Sequence, residues 1–339
     1  MRKLRVLVVD DSLVFRGTLA RELARDPMIE VVAVASDPYM ARDKLLEHEP
    51  DVMTLDVEMP RMNGIEFLRK LIPQYPIPVV VVSALSESIL DALNAGAVDF
   101  VTKPDARTPR GLATFMSELI LKIKVASVAK VSARKAVATA VSAARRPSIA
   151  KANHIIAIGA STGGTEAIAA ILKEFSADMP GAVIVQHMPP VFTAMYAARL
   201  NNMCRVEVKE AKTGDLVVPG RVLLAPGEHH MRVKRENDAY KVECFRGDKV
   251  NGHCPSVDVL FESVARTACR RAIGIILSGM GYDGAKGLLA MRENGARTIG
   301  QDEASSVVYG MPKVAFNIGA VEKQASLQNI PQLVYSLLV

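Results

Sequence analysis

The segment His154-Ile-Ile-Ala-Ile-Gly-Ala-Ser161-Thr-Gly-Gly-Thr165 decides the fold of the C-terminal half of this chain. A short apolar run of strand character enters a glycine-rich turn, and helical spacing follows over Glu166–Glu174, which is the opening unit of a doubly wound α/β sheet. Downstream the alternation continues. Ile155–Ile158, Ala182–Val185, Arg221–Ala225 and Ala272–Leu277 read as strands, with helices near Val191–Leu200, Val257–Thr267 and Ala285–Asn294, and a β-rich insertion over Val206–Val242 interrupts the pattern. Two chemistries compete for the turn itself. A dinucleotide loop requires G-x-G-x-x-G, but Ser161 stands where the middle glycine belongs. Gly159-x-Ser161-x-Gly163 fits a nucleophile elbow, where small neighbours lift a serine hydroxyl above the sheet near a helix N-terminus. From the motif alone, a nucleophile and a plain phosphate-binding turn stand even.

Upstream, a second α/β pattern fills the first 124 residues. Leu4–Val9, Val31–Ala35, Asp51–Leu55, Pro78–Val82 and Ala97–Val101 are the predicted strands, and sets such as Phe15-Leu19-Leu23 and Ile65-Leu68-Leu71 place one face of each helix on a sheet. Between the halves, Val125–Ala150 is built of Ala, Val, Ser, Lys and Arg and reads as a linker, because it lacks the bulky residues of a core. No acidic residue occurs from Leu119 to Thr165, so the positive charge gathers there; a solvated tether is favoured over a contact with an acidic partner. The resulting architecture is two doubly wound parallel-sheet domains, 1–124 and 152–339, joined by a basic linker at 125–151.

Composition narrows the function. With 339 residues, 50% of them hydrophobic and 23% charged, the chain is long enough for two buried cores. No apolar stretch approaches the about 20 residues of a membrane span, and the apolar run after Met1-Arg-Lys ends at Asp10-Asp11, unlike a signal peptide. Four cysteines without a CxxC pair suggest free thiols and no structural metal. These features point to a cytoplasmic protein. The net charge of +6 is too small to establish a nucleic-acid partner. A DNA-binding regulator would place a basic recognition helix after the linker, where the glycine-rich turn stands instead.

In a parallel sheet, chemistry collects beyond the carboxyl ends of the strands. In the first domain those positions hold Asp10-Asp11, Asp56, Ser83 and Thr102-Lys103-Pro104. Three converging carboxylates repel unless a cation lies between them, and an all-oxygen cluster suits Mg²⁺. Lys103 and Ser83 can hold the oxygens of an incoming anion, which leaves Asp56 as a phosphoryl acceptor. In the second domain, a serine nucleophile needs a base and a carboxylate to orient it. His187 ends one predicted strand and Asp283 follows another, so both belong at the sheet edge of Ser161. His229, His230 and His253 fall in loop-like or β-rich stretches that suit substrate contact or surface exposure, and Asp258 reads as a first-turn helix residue.

Asp10-Asp11-Ser12, Thr54-Leu55-Asp56-Val57-Glu58-Met59-Pro60, Val82-Ser83-Ala84 and Phe100-Val101-Thr102-Lys103-Pro104 closely resemble the receiver domain of two-component response regulators, which has a flavodoxin-like fold. The resemblance implies phosphorylation of Asp56 by a histidine kinase. It further implies Mg²⁺ ligation by Asp11, Asp56 and the Glu58 backbone carbonyl with Asp10 acting through water, a cis Lys103-Pro104 bond, and Phe100 as a switch coupled to Ser83. Gly159-Ala-Ser-Thr-Gly-Gly-Thr165, Gln186-His187-Met188-Pro189, Ala225-Pro-Gly227 with His230, Pro255-Ser-Val-Asp258 and Ser278-Gly-Met-Gly-Tyr-Asp-Gly284 look like the CheB family, the chemotaxis response-regulator protein-glutamate methylesterases. That resemblance implies hydrolysis of glutamate methyl esters on chemoreceptors by Ser161, His187 and Asp283, deamidation of receptor glutamines, and an oxyanion donor at the Met280 backbone. It implies no cofactor for the hydrolysis. Another protein ester or amide is the alternative substrate for the same triad.

Overall fold

Runs such as Val79-Val-Val-Val82 are apolar on both faces because helices cover both sides of a parallel sheet. The computed structural model describes residues 2–84, 86–104, 109–131 and 154–338, which divide between two units, Met1–Ala138 and Thr139–Val339. The first unit alternates β1 (Leu4–Val9), α1 (Leu13–Leu23), β2 (Ile29–Ala35), α2 (Pro38–His48), β3 (Val52–Asp56), α3 (Gly64–Leu71), β4 (Val79–Ser83), α4 (Ser86–Asn94), β5 (Asp99–Thr102) and α5 (Pro109–Ala126). Its strands lie in the order β2-β1-β3-β4-β5, all parallel. This is the flavodoxin-like order, whose direction reverses between β1 and β3 and opens a crevice there. Asp56 and Ser83 are the last residues of β3 and β4, so the chemistry-bearing side chains stand at the carboxyl edge. Helix α5 runs through Ala126, so Val125 and Ala126, the first two residues assigned to the linker, are buried helix residues. The rest of the linker beyond residue 131 lies outside the described residues.

The second unit contains β6 (Ile155–Ala160), α6 (Gly164–Glu174), β7 (Gly181–Gln186), α7 (Phe192–Met203), β8 (Glu207–Glu210), β9 (Arg221–Leu224), β10 (His230–Glu236), β11 (Ala239–Phe245), α8 (Val257–Ala268), β12 (Ala272–Ile276), α9 (Ala285–Glu293), β13 (Arg297–Gln301), α10 (Met311–Asn317), β14 (Lys323–Ala325) and α11 (Ile330–Leu337). Seven strands form a parallel sheet in the order β14-β13-β12-β6-β7-β9-β8, and β10 pairs with β11 as a separate antiparallel hairpin. The β-rich insertion is therefore smaller than the sequence suggests, because β8 and β9 extend the main sheet. Strand order reverses between β6 and β12, so the crevice opens over the turns that follow them. Helix α8 packs Leu260, Phe261 and Val264 into the core beneath those turns. Gly159 is required by that packing rather than by the turn: it lies inside β6, where a Cβ would overlap the Val257 side chain and stand 3.2 Å from Phe261 Cζ.

Candidate active site

At the β1/β3 crevice the carboxylate oxygens of Asp10, Asp11 and Asp56 lie within 4.8 Å of one another. Lys103 reaches across from the end of β5, its Nζ 2.8 Å from Asp10 Oδ2 and 2.6 Å from Asp56 Oδ2. Burial raises the Asp56 carboxyl above its ordinary range; Lys103 opposes this, and the charge of Asp10 adds to it. The same two carboxylates hold the Lys103 ammonium above its ordinary value although burial works against its charge. The turn after β3 is closed by the Glu58 N–H donating to Asp56 Oδ1 at 3.2 Å and by Gly64, whose amide donates to the Val57 carbonyl at 2.9 Å. Ser83 and Phe100 are buried on the neighbouring strands, and the Lys103 N–H donates to the Ser83 carbonyl at 2.9 Å. The implied cis Lys103-Pro104 bond is not found: Cys254-Pro255 is the cis bond among the described residues, and Lys103 reaches both carboxylates without one.

In the second unit, the register Ala160↔Gln186 sets the residues after β6 and β7, Ser161 and His187, side by side, and the His187 N–H donates to the Ala160 carbonyl at 3.1 Å. Buried Gln186 ties the two together through Nε2, which donates to the Ser161 carbonyl at 2.9 Å and the His187 carbonyl at 3.2 Å. From the β12 side, the Ser161 N–H donates to the Ser278 carbonyl at 3.0 Å, so the nucleophile's own amide is occupied. Gly279 lies so close that a Cβ there would stand 2.7 Å from Ser161 Cβ. Its carbonyl accepts from the Gly310 and Met311 amides at 3.1 and 2.8 Å, which holds the turn rigid. The Met280 amide donates to no acceptor among the described residues, as an oxyanion donor requires.

His187 and Asp283 meet at 2.8 Å through Nε2 and Oδ2. Asp283 is buried and takes four further donors: Ser256 Oγ at 2.7 Å, Asn251 Nδ2 at 2.8 Å and the Asp258 amide at 3.2 Å on Oδ1, and the Val257 amide at 2.7 Å on Oδ2. Burial pushes this carboxyl up, but the His187 hydrogen bond and charge, then the Asn251 and Ser256 donors, outweigh it and hold the group well below the usual carboxylate range. Charged Asp283 can only accept, so Nε2 is the nitrogen that donates between them. Nδ1 is left buried without a partner, and the Ser161 hydroxyl has no hydrogen-bond partner among the described residues. The two unengaged groups of the predicted triad lie at adjacent strand ends.

A model of the CheB methylesterase family matches residues 156–334, and a model of the response regulator receiver domain matches 6–109. The chain belongs to the CheB methylesterase family. Its likeness to a CheB relative from Syntrophomonas wolfei, named protein-glutamate methylesterase/protein-glutamine glutaminase 2, is 63% identity over all of this chain and 98% of that one. A Salmonella typhi protein named protein-glutamate methylesterase/protein-glutamine glutaminase is 47% identical over 98% of this chain and 96% of its own length. Among solved structures, the Thermotoga maritima CheB methylesterase catalytic domain superposes with a TM-score of 0.53 at 36% identity, covering 54% of this chain and 98% of that domain. The two CheB halves seen in the sequence are therefore a receiver domain and a methylesterase domain.

Sequence reasoning missed the surroundings of Asp283. Asn251 and Gly252 have φ of 54° and 84°, the left-handed pair of a two-residue hairpin turn, and an Asn-Gly dipeptide is its sequence sign. This turn, closed by the Val250↔His253 bridge, carries Asn251 to Asp283 and lays His253 on His187, with ring centroids 3.6 Å apart and planes at 10°. Asp258 is in the first turn of α8 as read, but it is also a buried acceptor for Asn251 Nδ2 and the Gly287 amide, both at 2.7 Å. His230, read as a contact or surface residue, is buried: its Nε2 donates to the Asp248 carbonyl at 2.9 Å while Nδ1 accepts from the Ser256 amide at 3.2 Å.

Proposed function

We propose that this chain is a phosphorylation-regulated hydrolase that removes methyl esters from glutamate side chains of chemoreceptors, and that the same site deamidates glutamines. The observation that supports the hydrolase reading most directly is the buried Asp283–His187 pair at 2.8 Å, with Nδ1 unengaged and His187 and Ser161 following adjacent strands. Ser161 Oγ attacks the ester carbonyl as Nδ1 of His187 takes its proton, and Asp283 stabilises the imidazolium that results. The C–O bond then breaks with transfer of that proton to the departing methoxy oxygen, because methoxide is a poor leaving group. Methanol is released. Water attacks the acyl-enzyme by the same route, returning a glutamate carboxyl and free Ser161; with a glutamine substrate the first product is ammonia. The Met280 amide faces the oxyanion, and one such donor is worth about 3 kcal/mol in the transition state.

For the receiver, Asp56 is the phosphoryl acceptor and a histidine kinase of the chemotaxis system the donor. The all-oxygen donor set of three carboxylates within 4.8 Å of one another fits Mg²⁺. Asp11, Asp56 and the Glu58 carbonyl would hold the ion with Asp10 behind a water, and the ion supplies charge neutralisation for the phosphoryl group. Lys103 pairs with a phosphoryl oxygen, and Ser83 with Phe100 carries the change across the β4–β5 face. The domains assigned are the receiver over 1–124, carried on by α5 to Ala126, the remainder of 125–151 as the linker, and the methylesterase over 152–339.

Methanol release from methyl-esterified receptor membranes tests the triad. Ser161→Ala and His187→Gln are expected to lose at least about 10³-fold in kcat, and Asp283→Asn somewhat less. Activity surviving in Ser161→Ala would remove the serine mechanism.

A further inference from the structure

The Nε2–Asp283 bond fixes one point of the His187 ring but not its plane, since a single hydrogen bond leaves the ring free to tilt about it. Another element supplies the missing constraint. We propose that His253 is a positioning residue of the hydrolase, whose ring, stacked on His187, holds the base in the plane that keeps Nε2 on Asp283 and Nδ1 open to Ser161. This rests on the triad reading above and adds a group to it.

The turn that carries His253 is built to do this. Its two backbone bonds, Val250 N–H to the His253 carbonyl and His253 N–H to the Val250 carbonyl, are both 3.0 Å. Between them Asn251 Nδ2 donates to Asp283 Oδ1 and to Asp258 Oδ2. One four-residue turn therefore touches both the imidazole and its carboxylate, and cannot shift against one without disturbing the other. Buried His230 pins the segment on either side, holding the Asp248 carbonyl through Nε2 and the Ser256 amide through Nδ1. At 3.6 Å and 10° the two rings are in van der Waals contact over their faces, so tilting His187 requires moving the whole turn.

The stacked ring also has the right charge. Burial first, then the charge of His187, pushes His253 down to about 4, with Asp283 opposing and Lys249 assisting. Near neutral pH it presents an uncharged ring face to the imidazolium that forms when Ser161 is deprotonated, which is attractive. A cationic group there would oppose the step.

Methanol release from methyl-esterified receptor membranes by the full chain tests the proposal, with Ser161→Ala measured beside it. His253→Ala is expected to lower kcat about 10- to 100-fold with KM changed less than about twofold, the cost of a misplaced catalytic group. His253→Phe keeps a flat uncharged ring and should recover most of that loss. His253→Leu keeps bulk without a flat face and should resemble Ala. The ¹⁵N signals of His187 should show a single Nε2–H tautomer in the wild-type chain and in His253→Phe, and broadened or mixed signals in His253→Leu. If His253→Ala does not fold, the Phe and Leu pair decides the matter alone. An inactive Ser161→Ala together with His253→Ala, or with His253→Leu if Ala does not fold, within about twofold of wild type would overturn the positioning role and leave the triad standing. So would a folded His253→Phe as impaired as Leu. An active Ser161→Ala would instead remove the triad reading beneath it.

Discussion

Asp56 illustrates how a single residue is set for chemistry at a cost to stability. Its folded carboxyl takes up a proton at higher pH than the unfolded one, so the folded state binds more protons above the ordinary value of 3.8 and loses stability as pH rises through that window. Asp56→Asn escapes this loss while Lys103 keeps Asp10, and the Asn oxygen can still accept from Glu58. The variant is expected to raise the melting temperature of the receiver at pH 7, with the gain vanishing at pH values below the ordinary carboxyl value of 3.8. Calorimetry at the two pH values checks it, and an unchanged or lower transition at pH 7 would contradict the electrostatic account. Added Mg²⁺ should stabilise wild type more than the variant, because the ion binds the folded carboxylates. Asp283 is the reverse case. Five donors keep it charged, and it serves as a fixed anion beside His187.

At the scale of elements, strong patterns were legible and weak ones were not. The five receiver strands were placed within about two residues, because each is a short, mostly apolar run with a polar residue at or just beyond its end at the sheet edge. Strand β13, Arg297-Thr-Ile-Gly-Gln301, has one bulky apolar residue, and β14 has three residues in all. Neither carries a readable period; both exist because neighbouring strands offer them a ladder. In the same way Ser161, His187 and Asp283 could be read as residues following strands, whereas Asn251 and His253 sit on a loop that reaches the site from β11. Only the Asn-Gly pair marked it. Gly159 tests the packing of β6 on α8. Gly159→Ala drives a methyl into Val257 and is expected to cost about 1–3 kcal/mol by overpacking, seen as a lower denaturation midpoint of the methylesterase domain. A neutral substitution there would mean that α8 yields easily and that the glycine serves the turn instead.

Across the whole molecule, two sites of different chemistry occupy equivalent places in two parallel sheets, each at a reversal of strand order. On the proposed reading the first takes a phosphoryl group and the second turns over an ester, so control requires a coupling free energy between them; each tenfold change in the active population needs about 1.4 kcal/mol. No helix among the described residues is long and apolar enough to cross a membrane. The most direct test of the central claim is the rate of methanol release from methyl-esterified receptor membranes by the full chain, with and without Mg²⁺ and a small phosphodonor, in wild type, Asp56→Asn and Ser161→Ala. Release should require Ser161, rise with the phosphodonor in wild type, and stay at the basal rate in Asp56→Asn. Release that is indifferent to the phosphodonor, or that rises equally in Asp56→Asn, would contradict control of Ser161 through Asp56.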